Sequence, residues 1–325
     1  MEPKTGRFTE GLPTIRLSEQ FRWPWLAEDR CPCGSGHTYG SCCLGYNGRP
    51  HVKVTSVVPP GELTDFAHPK CFLQATRNCS QRISREHYVS AAVLDQFEQP
   101  SVSGMPWQKP GEAAIYGRES LTARVLCERH NNALSPLDAH GATTVRHLKS
   151  GFAHATKRSL SARPSVSLAS GPAFEAWGYK VAAGFFEANI ARFDGLRAAG
   201  TLTDKHGNLA EALSGILLSP PAGIYVRAHE GDGMGNSISF APIMSEDAGI
   251  PAGISMYFCA FEFAFVFEIG SSNPAGLLDL GFAYRPFRLT ISGRAHGSNR
   301  AQTSHLFLSW PGTPASATGV RVTLS

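Results

Sequence analysis

The sequence has no apolar run long enough to cross a bilayer, since its most hydrophobic stretch, Ile254 to Ile269, is interrupted by Glu262 and Glu268. That argues against a membrane span. The opening residues, MEPKTGRFTEGLPTIRLSEQ, lack a basic stretch followed by an apolar core and do not read as a secretory signal, so the expected location is the cytoplasm. Internal repeats and low-complexity tracts are also missing, which argues against solenoid and fibrous architectures. Neither a nucleotide-binding glycine fingerprint nor a GxSxG nucleophile turn is present, which removes the usual signs of dinucleotide binding and serine hydrolysis. Charge is sparse, at 17% of residues against 42% hydrophobic, an ordinary globular composition, and 325 residues suffice for two domains or one large one. The formal net charge of +4 collects in the middle, where residues 51–160 hold 13 Lys and Arg against 9 Asp and Glu. A global charge of this size says little about nucleic acid, and local patches must carry that case.

What the chain does have is cysteine in one place. Seven of the eight cysteines fall between Cys31 and Cys127, and pairs such as Cys31 with Cys33, or the adjacent Cys42 and Cys43, are too tight for ordinary disulfides. In a cytosolic chain such clustering favours metal binding. Two thiolates one residue apart and two adjacent ones can surround a tetrahedral ion only if the chain between them doubles back, and Gly34, Gly36 and Gly40 allow this. A segment so short has no core of its own, so the metal supplies its folding energy, and four protein ligands make the ion structural. His37 is the competing ligand nearby. With its CxCGSG start, Tyr39 and the terminal cysteine pair, Cys31 to Cys43 resembles the SEC-C motif, a short zinc-binding segment known from the tail of the bacterial secretion motor and from many unrelated proteins. The resemblance implies one structural zinc and a surface for a protein partner, without naming an activity.

The remaining soft ligands, Cys71, Cys79, Cys127 and His130, make a second four-ligand set in which Cys127-x2-His130 has ordinary zinc spacing. Between its halves lies Ile83-Ser-Arg-Glu86-His87-Tyr-Val-Ser, and Asn131-Asn132 follows directly. This order resembles the zinc-stapled HNH nucleases of the ββα-metal fold. Carried over residue by residue, the resemblance implies His87 as general base, Glu86 as acidic metal ligand and Asn131 as the last ligand of a hydrolytic Mg²⁺ or Mn²⁺, with Asn132 a weaker substitute for Asn131. In this sequence Glu stands where Asp is commoner, Gly117 to Leu126 contains no Asn, and a long Pro-rich insertion separates the strands. The chemistry fits these residue types: a near-neutral His can take a proton from water, and a hard cation on oxygen ligands can polarise a phosphate. Neighbouring strand residues point to opposite faces, so Glu86 and His87 need a strand end or a bulge to converge. Arg77, Arg82, Arg85, Arg124 and Arg129 lie near this region and could bind backbone phosphates. DNA is then the expected partner, ahead of RNA. The rival reading is a non-catalytic zinc adaptor whose clusters present surfaces to protein or nucleic acid.

The expected fold is α+β, divided into residues 1–50 (an arm with Phe21, Trp23 and Trp25, then the zinc segment), 51–160 (the ββα unit) and 161–325 (a helix plus antiparallel strands of unknown role). Strands are expected at Ser84–Leu94 and Leu121–Cys127, and a helix starting at Ser135-Pro136-Leu137-Asp138 with Ser135 as its cap. His140, His147 and His154 would decorate that helix and the segment after it. Phe174, Trp177, Val181, Phe185 and Ile190 are spaced for one face of a helix near 172–198, and Phe261, Phe263, Phe265 and Phe267 alternate as one face of a sheet, with Cys259 on the same parity.

Overall fold

The computed structural model describes residues 25–45, 50, 52, 57–105, 107–109, 111–157, 164–188, 192–193, 196–197, 209–229, 236–244, 251–266, 276–294, 301–311 and 319–324. Phe21, Trp23, Ile190, Phe267 and most of the segment 51–56 lie outside the described residues. Along the chain the elements are α1 (Tyr39–Cys42), β1 (Ile83–His87), α2 (Ala91–Leu94), β2 (Ser101–Ser103), β3 (Ala113–Ile115), β4 (Thr122–Cys127), α3 (Glu128–Ala155), β5 (Ser165–Ser170), α4 (Gly171–Glu187), the short pair β6 (Arg192–Phe193) and β7 (Leu196–Arg197), α5 (Leu209–Leu213), β8 (Gly223–Ala228), β9 (Ser237–Met244), β10 (Pro251–Phe258), β11 (Phe261–Val266), β12 (Ala283–Tyr284), β13 (Arg288–Arg294), β14 (Ala301–Ser309) and β15 (Gly319–Thr323). The architecture is α+β. No described helix is long and apolar enough to cross a membrane.

Two sheets enclose the helices. Among the described residues one sheet has the strand order β12-β8-β11-β10-β9-β2-β3 and the other β15-β13-β14-β5. The alternation in β11 works as expected: Phe261, Phe263 and Phe265 are fully buried, and Phe263 and Phe265 meet Phe174 of α4 edge-on at 5.3 and 5.7 Å. Burying each such ring is worth roughly 1.5–3 kcal/mol. Cys259 is buried in the two-residue turn joining β10 to β11, where it and Ala260 both take left-handed backbone angles.

α4 is buried all round, so the single apolar face expected of it is instead a core helix without a solvent side. It ends at Glu187, and the expected continuation to residue 198 is replaced by the β6-β7 pair. Glycines set the approach of its neighbours. A Cβ on Gly178 would lie 2.0 Å from Phe265, and one on Gly141 of α3 would lie 2.6 Å from Trp177. On its other side α3 packs on β14, β13 and β5.

Two local expectations are corrected. β1 stops at His87, and Ser90 starts the short helix α2 where the strand was to continue to Leu94. α3 begins at Glu128, capped by the Cys127 sulfur accepting the His130 N–H, so Ser135-Pro136 lies in the third turn and does not start the helix. Pro136 cannot donate to the Asn132 carbonyl, and the Ser135 hydroxyl does so in its place at 2.9 Å. The division near residue 160 is crossed by hydrogen-bonded strands, because β2 and β3, inside the 51–160 segment, extend the large sheet through β9.

Candidate metal centres and the residues around them

The first centre is built by a tight turn and one helical turn. Cys31 N–H donates to the His37 carbonyl at 2.8 Å, Gly34 and Gly36 take left-handed angles, and Cys43 N–H donates to the Tyr39 carbonyl at 3.0 Å. This doubling back puts Cys33 and Cys42 Sγ 3.6 Å apart and Cys42 and Cys43 Sγ 3.6 Å apart, with all four sulfurs mutually within 4.8 Å. A tetrahedron with Zn–S bonds of about 2.3 Å has edges of about 3.8 Å, so the four sulfurs fit Zn²⁺. The Cys43 thiol, hydrogen-bonded to Cys33, holds the Cys33 thiol down to about 4 while its own is pushed up. His37 is exposed and outside the set.

The knuckle is fastened to the rest of the chain. Tyr39, Cys31 and Cys43 pack with Val52, Leu168, Phe287 and Phe307, and Trp25 lies 5.5 Å from Tyr39 and 5.6 Å from Phe307. β5 is the edge of its sheet, and the Pro32 carbonyl accepts the Leu168 N–H at 3.1 Å. The zinc segment thus covers part of a strand edge that would otherwise present an unpaired donor.

The second centre joins the loop before β1 to the β4–α3 junction. His130 Nδ1 lies 3.4, 3.6 and 3.2 Å from the sulfurs of Cys71, Cys79 and Cys127, near the roughly 3.5 Å that mixed Zn–S and Zn–N bonds require. The tautomer is fixed from behind. Thr76 Oγ1 donates to the Leu73 carbonyl at 2.8 Å, so at 3.0 Å from His130 Nε2 it accepts the ring N–H and leaves the Nδ1 lone pair for a metal. Burial, with Arg129 adding, lowers the His130 pKa to about 4, keeping the ring neutral. Burial opposes ionisation of Cys127, but N–H groups of His130 and Ser80 point at its sulfur and hold its pKa below the usual thiol value.

Beside this centre β1 and β4 pair antiparallel with His87 opposite Thr122 and Ile83 opposite Cys127, and a bulge shifts the register between Ser84 and Glu86. β4 runs directly into α3, which carries Asn131, half-buried, in its first turn and Asn132, exposed, directly after it. His87 is half-buried at the end of β1. Glu86 faces inward instead: its carboxylate is 2.6 Å from Lys180 Nζ, which is also 2.6 Å from Asp138 of α3. The two carboxylates hold the Lys180 pKa up against the effect of burial, whereas burial, with Asp138 adding, raises that of Glu86 despite Lys180. Among the described residues the clusters of three or more metal-ligand side chains are the two cysteine sets, and Glu86 belongs to neither. The physical reason is that an ammonium group already sits where a cation would approach it.

Several of the nearby arginines are occupied. Arg77 pairs with Asp65 at 2.7 Å, Arg85 donates to the Glu119 carbonyl and to Thr122, and Arg129 donates to Asn78 and to the Glu62 carbonyl. Arg82 and Arg124 are exposed. Lys180, Asp138 and Thr76 escaped sequence reasoning; the one visible signal was a lone lysine inside the apolar run AWGYKVAAGFF.

The family model of the SEC-C motif matches residues 29–45. No curated protein and no solved structure matches the chain. Residues 29–45 are thus a SEC-C zinc-binding segment carrying a four-cysteine site, and Cys71, Cys79, Cys127 and His130 form a second, buried set of metal-ligating side chains.

Proposed function

We propose that this chain is a metal-dependent endonuclease of the HNH type, hydrolysing phosphodiester bonds of DNA and less readily RNA. The observation that carries this reading is the order of elements at the second centre. β1 and β4 pair antiparallel, β4 leads without a break into α3, and the Cys3His set stands at the β4–α3 junction. A zinc there would pin the strand pair to the helix and leave hydrolysis to other groups. His87 at the end of β1 is the general base, taking the proton of the attacking water. Asn131 in the first turn of α3 offers an amide oxygen to Mg²⁺ or Mn²⁺, which when bound would polarise the phosphate and stabilise the leaving oxygen. Exposed Arg82 and Arg124 would meet the phosphate backbone. On this reading the SEC-C segment is an accessory zinc module.

A second reading, a zinc adaptor without catalysis, is favoured by the hold of Lys180 on Glu86, which is what a structural pair would look like. The test is cleavage of plasmid DNA and of RNA after mild chelation and Mg²⁺ readdition, with zinc counted alongside. The nuclease reading expects Mg²⁺-dependent cleavage that falls by about 10²- to 10⁴-fold in His87→Ala with zinc content unchanged. Cleavage of neither nucleic acid by the zinc-loaded wild type would leave the adaptor.

A further inference from the structure

We propose that Lys180 is the positioning residue of the ββα centre, and that Glu86 serves as its anchor and does not ligate the hydrolytic metal. This rests on the nuclease reading above. Three elements meet at one nitrogen: Lys180 of α4, with a side chain 3% exposed, lies 2.6 Å from Glu86 of β1 and 2.6 Å from Asp138 of α3. Glu86 directly precedes His87, and Asp138 follows Asn131 by seven residues, two helical turns, so both stand on the same face of α3. The ammonium therefore ties the strand end bearing the general base to the helix face bearing Asn131. Its own foundation is rigid. α4 is buried all round and wedged against β11 where Gly178 admits Phe265.

The same geometry argues against a divalent ion on Glu86. A cation bound to the oxygen that Lys180 already holds would sit within a few ångströms of the ammonium, in a region that excludes water, where like charges repel far more than at a surface. A lone buried ammonium is costly, and so is the buried Glu86 carboxylate beside the part-buried Asp138; each is tolerable only with the others in place.

The test uses the full-length, zinc-loaded protein and four variants, Lys180→Met, Glu86→Gln, the two combined, and Asn131→Ala. Lys180→Met should lower the thermal midpoint by roughly 5–8 °C, and the double variant should lose clearly less than the sum of the singles, because the uncompensated partner has been removed too. Lys180→Met and Glu86→Gln, measured well below their midpoints, should each reduce kcat by about 10- to 100-fold through misplacement of the base, leaving KM and the Mg²⁺ half-saturation within about twofold. Asn131→Ala should instead raise the Mg²⁺ half-saturation. A tenfold rise in Mg²⁺ half-saturation in Glu86→Gln but not in Lys180→Met would make Glu86 a metal ligand and overturn the proposal, as would additive losses in thermal midpoint. A wild-type protein that cleaves nothing sinks the nuclease reading, whereas an active wild type with either of those two results sinks only the positioning role.

Discussion

His130 shows how one residue serves geometry and charge together. Its Nδ1 faces three sulfurs, its Nε2 is held by Thr76, and burial lowers its pKa to about 4. His305 on β14 is lowered to about 4 as well, by burial first and then by Arg288 and Arg321. Both folded values lie below the ordinary 6.5, so the stability each contributes is present above pH 6.5 and is lost as pH falls toward 4. At His130 the loss comes through proton competition for the zinc ligands. Denaturant midpoints taken across that range, with zinc release monitored in parallel, should be flat above about pH 6.5 and decline below it. A flat profile down to pH 4 would mean that neither imidazole is buried in its neutral form.

At the level of elements, glycine decides where the helices can lie. Gly178 faces Phe265 and Gly141 faces Trp177, so α4 approaches β11 and α3 more closely than side chains would allow. Gly178→Ala should destabilise by about 1–3 kcal/mol even though alanine favours helix by roughly 1 kcal/mol, because an aromatic ring in a closed core has nowhere to go. An unchanged unfolding midpoint would show that the contact relaxes freely. Sequence patterns reached some elements and missed others for physical reasons. β4 was legible as a short strand-like run and the buried face of β11 as an alternating one, because both signals are local. The start of α3 was not, since Ser135-Pro136 is a good local start signal that loses to a cap made by the Cys127 sulfur, with the Ser135 hydroxyl repairing the bond Pro136 cannot make. The cysteine sets were legible from the clustering of soft ligands, the first with the help of its resemblance to the SEC-C motif. Lys180 could not be assigned, because its partners lie 94 and 42 residues earlier in the chain and only folding brings them to one point.

For the molecule as a whole, the two metal sites do different work. The second stands at the start of α3, between the β1–β4 pair and the core, whereas the first closes a knuckle against the edge and one face of the β15-β13-β14-β5 sheet. Leu306 and Leu308 of β14 belong to the main core, while Phe307 between them belongs to the knuckle's cluster, so the sheet is buried on one face by the helices and on the other partly by the zinc segment. Replacing Cys33 by Ser removes one ligand and with it most of the folding energy of a segment that has no core of its own. The Pro32 carbonyl then no longer caps Leu168, and Leu168, Phe287 and Phe307 lose their cover. An uncovered strand edge beside an apolar patch is a template for pairing with another chain. Cys33→Ser should therefore fall from about two zinc ions per chain to about one, become sensitive to protease near residues 25–45, and self-associate in a concentration-dependent way detectable by light scattering, while the Cys71, Cys79, Cys127 and His130 site keeps its metal. Loss of both zinc ions in this variant would show that the two centres fold as one coupled unit, and a monodisperse protein with one zinc would show that the knuckle is not what protects the edge of β5.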